Sequence, residues 1–530
     1  MKNPVYYSSE ISGREGQRIT CDLCIYGATS AGIIAAVESR RRGLNVVLLA
    51  NGDHLGGLTT GGLGFTDFGD KRIVGGLSRE FYRRVGAHYG VEEEWKFEPS
   101  VALQVFKTML REVSVEPIKR QFLASTTVES GAIRSIRLES GLEVEAAFFM
   151  DATYEGDLMA QAGVPSVVGR EPNALYGELL NGVQVREHHQ FIVPVSPWRK
   201  EGDPSSGLLP GISPEPLAPQ GSGDRKIQAY NFRMCLSRAA DRIPFPKPDG
   251  YDPLDYELLA RLLRAGWRET FVKFDRIRGN KTDTNNHGAV STDFIGANHD
   301  YPDAGYQRRE TIFQDHVRYV QGLFWFYCHD DRVPPDVRSR MRRWGLAADE
   351  FSSTGHWPPQ LYIREARRMV ADEVVTELNC RGYRTVPDPV GFGAYGMDSH
   401  NCQRVVVDGR ALNEGDVQDW VDPYLISYRS VIPPSGSVSN LFVPVCISAS
   451  HIAYGSVRME PVFMILGQSC AIAAALCLQE RTHVQELPYR TLKPELDRAD
   501  QILSLDGTDN LPFPHGEIEA PVGDASILVV

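Results

Sequence analysis

The chain reads Cys24-Ile25-Tyr26-Gly27-Ala28-Thr29-Ser30-Ala31-Gly32, then an apolar helical run, then Asn45-Val46-Val47-Leu48-Leu49-Ala50. An apolar strand enters a glycine turn, a helix opens there, and a second apolar strand follows. This order predicts the first βαβ unit of a dinucleotide-binding fold. Gly27 permits the sharp turn off the strand, and Gly32 permits close packing of the helix on the sheet. The helix N-terminus offers free N–H groups and a positive dipole end to a pyrophosphate. Two positions depart from the G-x-G-x-x-G pattern. Thr29 stands at the middle glycine, and Ala50 stands where an acid about 20 residues on would bond the ribose. Asn51 is the polar group available in its place. The binding candidates here are Gly27, Ala28, Thr29, Ser30, Ala31, Gly32, Ala50 and Asn51.

Bulk properties narrow the classes. At 530 residues the chain can bury a large core in two or more domains. A net charge of −12 argues against a nucleic-acid partner. Met1 to Thr20 is polar and lacks the apolar core of a secretory signal. The longest apolar stretch, Val462 to Leu478, contains Gly467, Gln468 and Ser469 and reads as a buried helix. The expectation is a cytoplasmic protein without a membrane partner. Nine scattered cysteines suit a reduced chain. Cys21 and Cys24 fall three apart on the first strand, face opposite sides, and read as small buried residues. His188-His189 would also point apart, and neither H-E-x-x-H nor G-x-S-x-G occurs, so no metal site and no esterase triad is expected.

Along the chain, residues 76–90 and 99–113 read as helices. Alternating strands are expected from about Ser114 to Phe149, with turns at Ser130-Gly131 and Ser140-Gly141. A second apolar strand ends in Asp151-Ala152-Thr153-Tyr154-Glu155-Gly156-Asp157. Residues 194–225 are rich in Pro, Gly and Ser and predict a long irregular excursion. Residues 253–275 and 305–378 read as mostly helical, and the tail 506–530 has little periodicity.

Four blocks together resemble the bacterial FAD-dependent oxidoreductases of the fumarate-reductase-like and glutathione-reductase-like flavoprotein superfamily. They are Gly27 to Gly32, His54 to Gly64, Asp151 to Asp157, and Ser448 to Arg458 with Glu460-Pro461 following. The resemblance implies an α/β fold: a Rossmann-like, nucleotide-binding FAD domain with a parallel sheet and β-meander, plus an inserted α+β substrate or cap domain. The expected FAD domain is discontinuous, 20–170 and 385–490. The expected insert is 171–384, and 491–530 forms a C-terminal extension. The resemblance also implies that Gly56, Gly57, Leu58, Thr59, Gly62 and Leu63 lie near the flavin, that Ala152, Thr153 and Asp157 approach the nucleotide, and that Ser448, His451 and Pro461 complete the site.

The implied reaction is hydride transfer between a small polar substrate (hydroxylated, amino or carboxylated) and flavin N5. The alternatives are a flavin monooxygenase and a non-redox flavin-binding protein. His451 is a candidate base, because an imidazole suits proton removal near neutral pH. Arg458 is a candidate cation for reduced flavin or for a substrate acid. Tyr428, Arg429, His400 and Asn286 sit in other polar clusters that suit a hydrogen-bonding pocket. Tyr362, Arg364, Glu365, Arg367 and Arg368 read as one helical run. The electron acceptor and the oligomeric state are left open.

Overall fold

The computed structural model describes residues 4–11 and 13–505. The tail expected to lack periodicity, 506–530, lies outside the described residues. β1 (Arg18–Tyr26), α1 (Ser30–Arg41) and β2 (Val46–Leu49) form the expected unit, with β1 and β2 parallel and Tyr26 opposite Leu49. Thr29 is the N-cap of α1. Its Oγ1 accepts from Gly32 N at 3.4 Å and donates to Ala152 O at 2.7 Å. A threonine cap is worth about 1 kcal/mol against alanine and only a few tenths against glycine, so the residue at the middle glycine works chiefly by tying the helix start to the end of the neighbouring strand. Cys21 and Cys24 are free and buried, as expected.

α2 (Gly57–Thr60), α3 (Gly76–His88) and α4 (Pro99–Glu112) follow. β3 (Leu123–Glu129), β4 (Ala132–Leu138) and β5 (Glu143–Asp151) form the meander. It begins nine residues later than the alternation suggested. Ser130 and Gly131 both adopt positive φ, 50° and 74°, as a two-residue hairpin turn of matching twist requires. β5 returns parallel to β1, with Tyr26 opposite Asp151, and α5 (Asp157–Gln161) leaves from its end.

The middle of the chain builds a second sheet. β6 (Met234–Ser237), α6 (Glu257–Arg264), β7 (Phe274–Arg276), β8 (Lys281–Thr284), α7 (Tyr306–His329), α8 (Pro335–Met341) and β9 (Gly345–Leu346) follow in order. The antiparallel strand order is β7-β8-β6-β9. The excursion 194–225 is mostly irregular but carries a hairpin, Trp198–Lys200 with Asp203–Leu208.

The helical expectation for 253–275 and 305–378 fails over much of its length. Helix there is confined to 253–264, α7, α8, a 3-10 turn at Ser352–Thr354 and the start of a one-turn helix at Glu377–Cys380, and residues 342–376 hold no α-helix. The charged run 364–368 is therefore not helical. Its side chains reach partners on separate elements: Asp293 for Arg364, His451 for Glu365, Asp157 for Arg367 and Glu171 for Arg368. An extended chain sends successive side chains to opposite sides and can serve all four.

β10 (Leu441–Phe442) pairs parallel with the C-terminal half of β5, so both ends of the chain share one sheet of order β2-β1-β5-β4-β3. α9 (His451–Val457) and α10 (Glu460–Glu480) follow, and a last helix, α11 (Tyr489–Arg498), ends the described elements. α10 lies directly on α1. A Cβ on Gly467 would press on the backbone of Ala31, so a glycine sets this close approach. Among the described residues α10 is the one helix long and apolar enough to cross a membrane, and 89% of its apolar window is buried in the fold. The result is a mixed α/β protein whose principal sheet carries parallel strands.

Candidate cofactor and active site

The glycine turn after β1, the segment after β2 and the segment after β5 open on one cavity of about 940 Å³. Gly27, Ala28 and Thr29 line it, as do Ala50, Asn51 and Thr153. Gly27 has φ +111°, and a Cβ there would stand 2.6 Å from the carbonyl carbon of Ala152. Only glycine permits this approach of two strand ends. The first-turn N–H groups of α1 have no carbonyl of their own helix to bond. Asn51 lines this cavity, and its Oδ1 is buried and has no hydrogen-bond partner. A buried orphan acceptor at the end of β2 suits a ribose hydroxyl. The donor set and shape therefore fit an extended dinucleotide such as FAD: Gly27–Thr29 and the start of α1 for the pyrophosphate, Asn51 for the ribose.

The second glycine loop is tied to this turn through one buried carboxylate. Gly56 and Gly57 adopt φ +91° and +55°. Tyr154 Oη fills the space where a Cβ of Gly57 would lie. That hydroxyl accepts from Leu58 N at 2.9 Å and donates to Glu460 Oε1 at 2.8 Å. Thr59 Oγ1 donates to Glu460 Oε2 at 2.5 Å. Glu460, the first residue of α10, thus joins the loop, the block after β5 and the C-terminal helix. Burial pushes its carboxyl above the usual range. His54 also lines the cavity, with Nε2 2.8 Å from Thr60 Oγ1. Burial pulls its pKa down to about 4, so the ring is neutral at physiological pH.

Several expected cofactor residues stand behind the wall rather than on it. Ser30, Ala31, Gly32, Gly56, Thr59, Gly62 and Leu63 are buried, and Ala152 receives the Thr29 hydroxyl. Pro461 is buried in the first turn of α10, and Ser448 Oγ accepts from Ala371 N at 3.1 Å. Asp157 is engaged by Arg309 at 2.6 Å and Arg367 at 2.8 Å, which hold its carboxyl below the usual range against the cost of burial.

A second, smaller void of about 10 Å³ adjoins the first. Leu58, Tyr362, Arg364, Arg458 and Glu460 line it, and Tyr154, Leu361 and Ile363 line both. Arg458 Nη1 donates to Tyr362 Oη at 2.6 Å. Of the catalytic candidates, Arg458 alone borders either of these two voids. His451 lies one layer behind, 1% exposed. Its Nδ1 is 2.9 Å from both oxygens of Glu365, and its Nε2 is 3.0 Å from Ser399 Oγ. His400 is held by Asp293 at 2.8 Å. Tyr428 spends its hydroxyl on Val484 O, Arg429 pairs with Asp388 at 3.1 Å, and Asn286 is buried away from both voids.

Other cavity residues escaped the sequence reading. Tyr154 and Glu155 sit inside a quoted block, and their size and charge beside small residues were the available signal. Tyr301 Oη donates to Glu155 Oε1 at 3.0 Å, and burial pushes the Glu155 carboxyl up to about 7. Tyr6 lines the cavity from the N-terminal segment, and its buried hydroxyl has no partner. The Tyr6-Tyr7 pair in an otherwise polar leader was its only trace.

Residues 22–496 match the model of the family described as FAD dependent oxidoreductase. No curated protein matches the chain. Among solved structures, OxyS anhydrotetracycline hydroxylase from Streptomyces rimosus is similar at 14% identity and a TM-score of 0.24, over 29% of this chain and 36% of that one. L-proline dehydrogenase from P. horikoshii is similar at 15% identity and 0.24, over 29% of this chain and 58% of that one. L-amino acid deaminase from Proteus vulgaris is similar at 15% identity and 0.24, over 30% of this chain and 55% of that one. The chain thus spans between about a third and three-fifths of the length of these structures, and TM-scores this low carry no argument about chemistry. The family match covers nearly the whole chain and agrees with the cavity's fit to a dinucleotide: the chain belongs to the FAD dependent oxidoreductase family.

Proposed function

We propose that the enzyme transfers a hydride between a small polar substrate and flavin N5, acting on a C–H bond beside oxygen or nitrogen. The observation that carries this reading is the buried polar network next to the glycine-loop end of the cavity: Tyr362, Arg364, Asp293, His400, Asp398 and Arg458. These groups pair chiefly with one another, and Tyr362, Arg364 and Arg458, the members that line the void, give it a polar wall that suits a hydrogen-bonding substrate. FAD, when bound, supplies the two-electron acceptor. The protein's part is binding, orientation and proton handling.

Gly27–Thr29, at the N-terminal end of α1, would hold the pyrophosphate, and the Gly56–Thr60 loop with Leu361 and Ile363 would exclude water from the reacting end. The N-terminal end of α10 favours negative charge nearby. The proton goes to His451. Glu365 holds a proton on Nδ1, and Nε2, 3.0 Å from Ser399 Oγ, takes the proton by relay rather than by direct contact, since neither residue lines a void. Residues 20–170 and 385–490 form the cofactor domain in this reading. Residues 171–384, with their own four-stranded sheet, form the cap that brings Tyr362 and Arg364, and 491–530 form the extension.

His451→Ala tests the assignment. Flavin reduction in a single anaerobic turnover should slow by about 10²–10⁴-fold, while FAD content stays that of the parent. An unchanged rate returns His451 to a structural role. Oxygen incorporated into product after reduction by a nicotinamide donor would mark a monooxygenase instead.

A further inference from the structure

We propose that Glu155 is a cofactor-binding residue that holds FAD as a neutral carboxylic acid, so that FAD binding takes up a proton above neutral pH. This role belongs to cofactor binding and stands apart from the hydride-transfer reading.

Glu155 lines the large cavity together with Gly27, Ala28 and Thr29. The chain leaving β5 abuts the glycine turn: a Cβ on Gly27 would stand 2.7 Å from Thr153 N, and Thr29 Oγ1 donates to Ala152 O. Glu155 follows two residues later, a reach of about 7 Å at full extension. It therefore stands beside the turn that suits the pyrophosphate. Glu155 is buried, and its Oε1 accepts from Tyr301 Oη at 3.0 Å. The Tyr6 ring packs 6.2 Å from that of Tyr301, and its buried hydroxyl lines the same cavity without a partner. Buried hydroxyls are bonded in nearly all proteins, so this one asks for a ligand atom.

Among the described residues no cation forms an ion pair with the Glu155 carboxyl. Arg309 sends Nη1 and Nη2 to Asp157 at 2.6 and 2.9 Å and Nε to Tyr301 O. Arg367 Nη1 is shared between Asp157 at 2.8 Å and the backbone oxygen of Glu155 at 3.2 Å. Asp151 accepts from Thr153 N, Thr153 Oγ1 and Met159 N. The phenols of Tyr154 and Tyr230 and the Cys446 thiol complete the titratable neighbours, and burial keeps all three neutral. A buried carboxyl without a cation is costly as an anion, and burial lifts this one to about 7. In its neutral form it gains an O–H donor. FAD carries a negatively charged pyrophosphate. An ionised Glu155 would repel that charge. A protonated one donates to a phosphate oxygen, and Tyr6 Oη supplies a second neutral donor.

The test measures FAD affinity of the FAD-free protein by flavin fluorescence from about pH 5.5 to about pH 9. The dissociation constant should be level below about pH 7 and rise by up to about tenfold per pH unit above it. Calorimetry in buffers of different ionisation enthalpy should find uptake approaching one proton per FAD at about pH 8.5 and almost none at about pH 5.5. Glu155→Gln keeps a neutral donor at every pH and should lose both the slope and the uptake. Tyr301→Phe is the second variant, for the case that Glu155→Gln fails to fold. It removes the hydroxyl bonded to the carboxyl and should move the onset to higher pH. Three results overturn the role: affinity that is level across the range, a slope retained in Glu155→Gln, or an onset unmoved in Tyr301→Phe. Affinity that rises with pH also overturns it, because an ionised Glu155 accepting from a ribityl hydroxyl would give that. None of these readouts passes through flavin reduction, so this role and hydride transfer fail separately.

Discussion

Gly57 shows how a single position ties cofactor space to scaffold. The sequence suggests that a side chain there would enter the cofactor's space. In the structure it would first displace Tyr154 Oη, which holds Leu58 N and Glu460. Gly57→Val should therefore cost about 2–4 kcal/mol, from left-handed backbone strain and orphaned hydrogen bonds, and abolish FAD retention. Removing the hydroxyl with Tyr154→Phe should reduce the penalty in a double-mutant cycle of urea unfolding. A fully loaded, undestabilised Gly57→Val protein would refute the placement. Glu155 gives a pH signature. Its folded pKa of about 7 lies above the ordinary 4.5 because burial disfavours the charge. A raised acid contributes its stability below about 4.5 and loses it as pH rises through about 7. The melting temperature of Glu155→Gln, relative to the parent, should thus rise across that window in the FAD-free protein. A constant difference would contradict the burial argument.

At the scale of elements, residues 4–11 act as a strap across the cavity mouth. Glu310 of α7 accepts from Tyr6 N and Tyr7 N, both at 2.8 Å, and Gln314 donates to Pro4 O at 2.8 Å. Tyr6 packs on Phe122, Tyr301 and Phe313. Glu310→Ala should loosen the strap and raise the FAD dissociation rate several-fold with little change in the far-UV spectrum. An unchanged rate would mean that the strap is ornamental to retention. Elements with local signals were legible in the sequence: β1-α1-β2 from its glycine turn, the meander from alternation and its Ser130-Gly131 turn, and α10 from its apolar run. The charged stretch at 364–368 was not. Its order comes from Asp293, His451, Asp157 and Glu171, partners 71 or more residues away, and no local period encodes such pairs. The same holds for the site. The glycines announced the cofactor turn, whereas Tyr6, Glu155 and Glu460 became cavity residues only through tertiary contacts.

At the scale of the whole molecule, the two ends of the chain complete one sheet and the middle of the chain supplies the polar wall. The cofactor cavity and the polar void therefore depend on contacts between segments hundreds of residues apart, such as Thr59 with Glu460 and Gln228 with Arg458. FAD binding should accordingly stabilise the whole fold rather than one segment, raising the melting temperature with FAD concentration by mass action. The most direct measurement is anaerobic titration of the FAD-loaded enzyme with small hydroxy, amino and carboxylic acid donors, followed by the visible flavin band. The expected result is loss of the band with at least one polar donor. The contrary result is a band that no donor diminishes while a chemical reductant bleaches it fully, which would remove hydride transfer from this site.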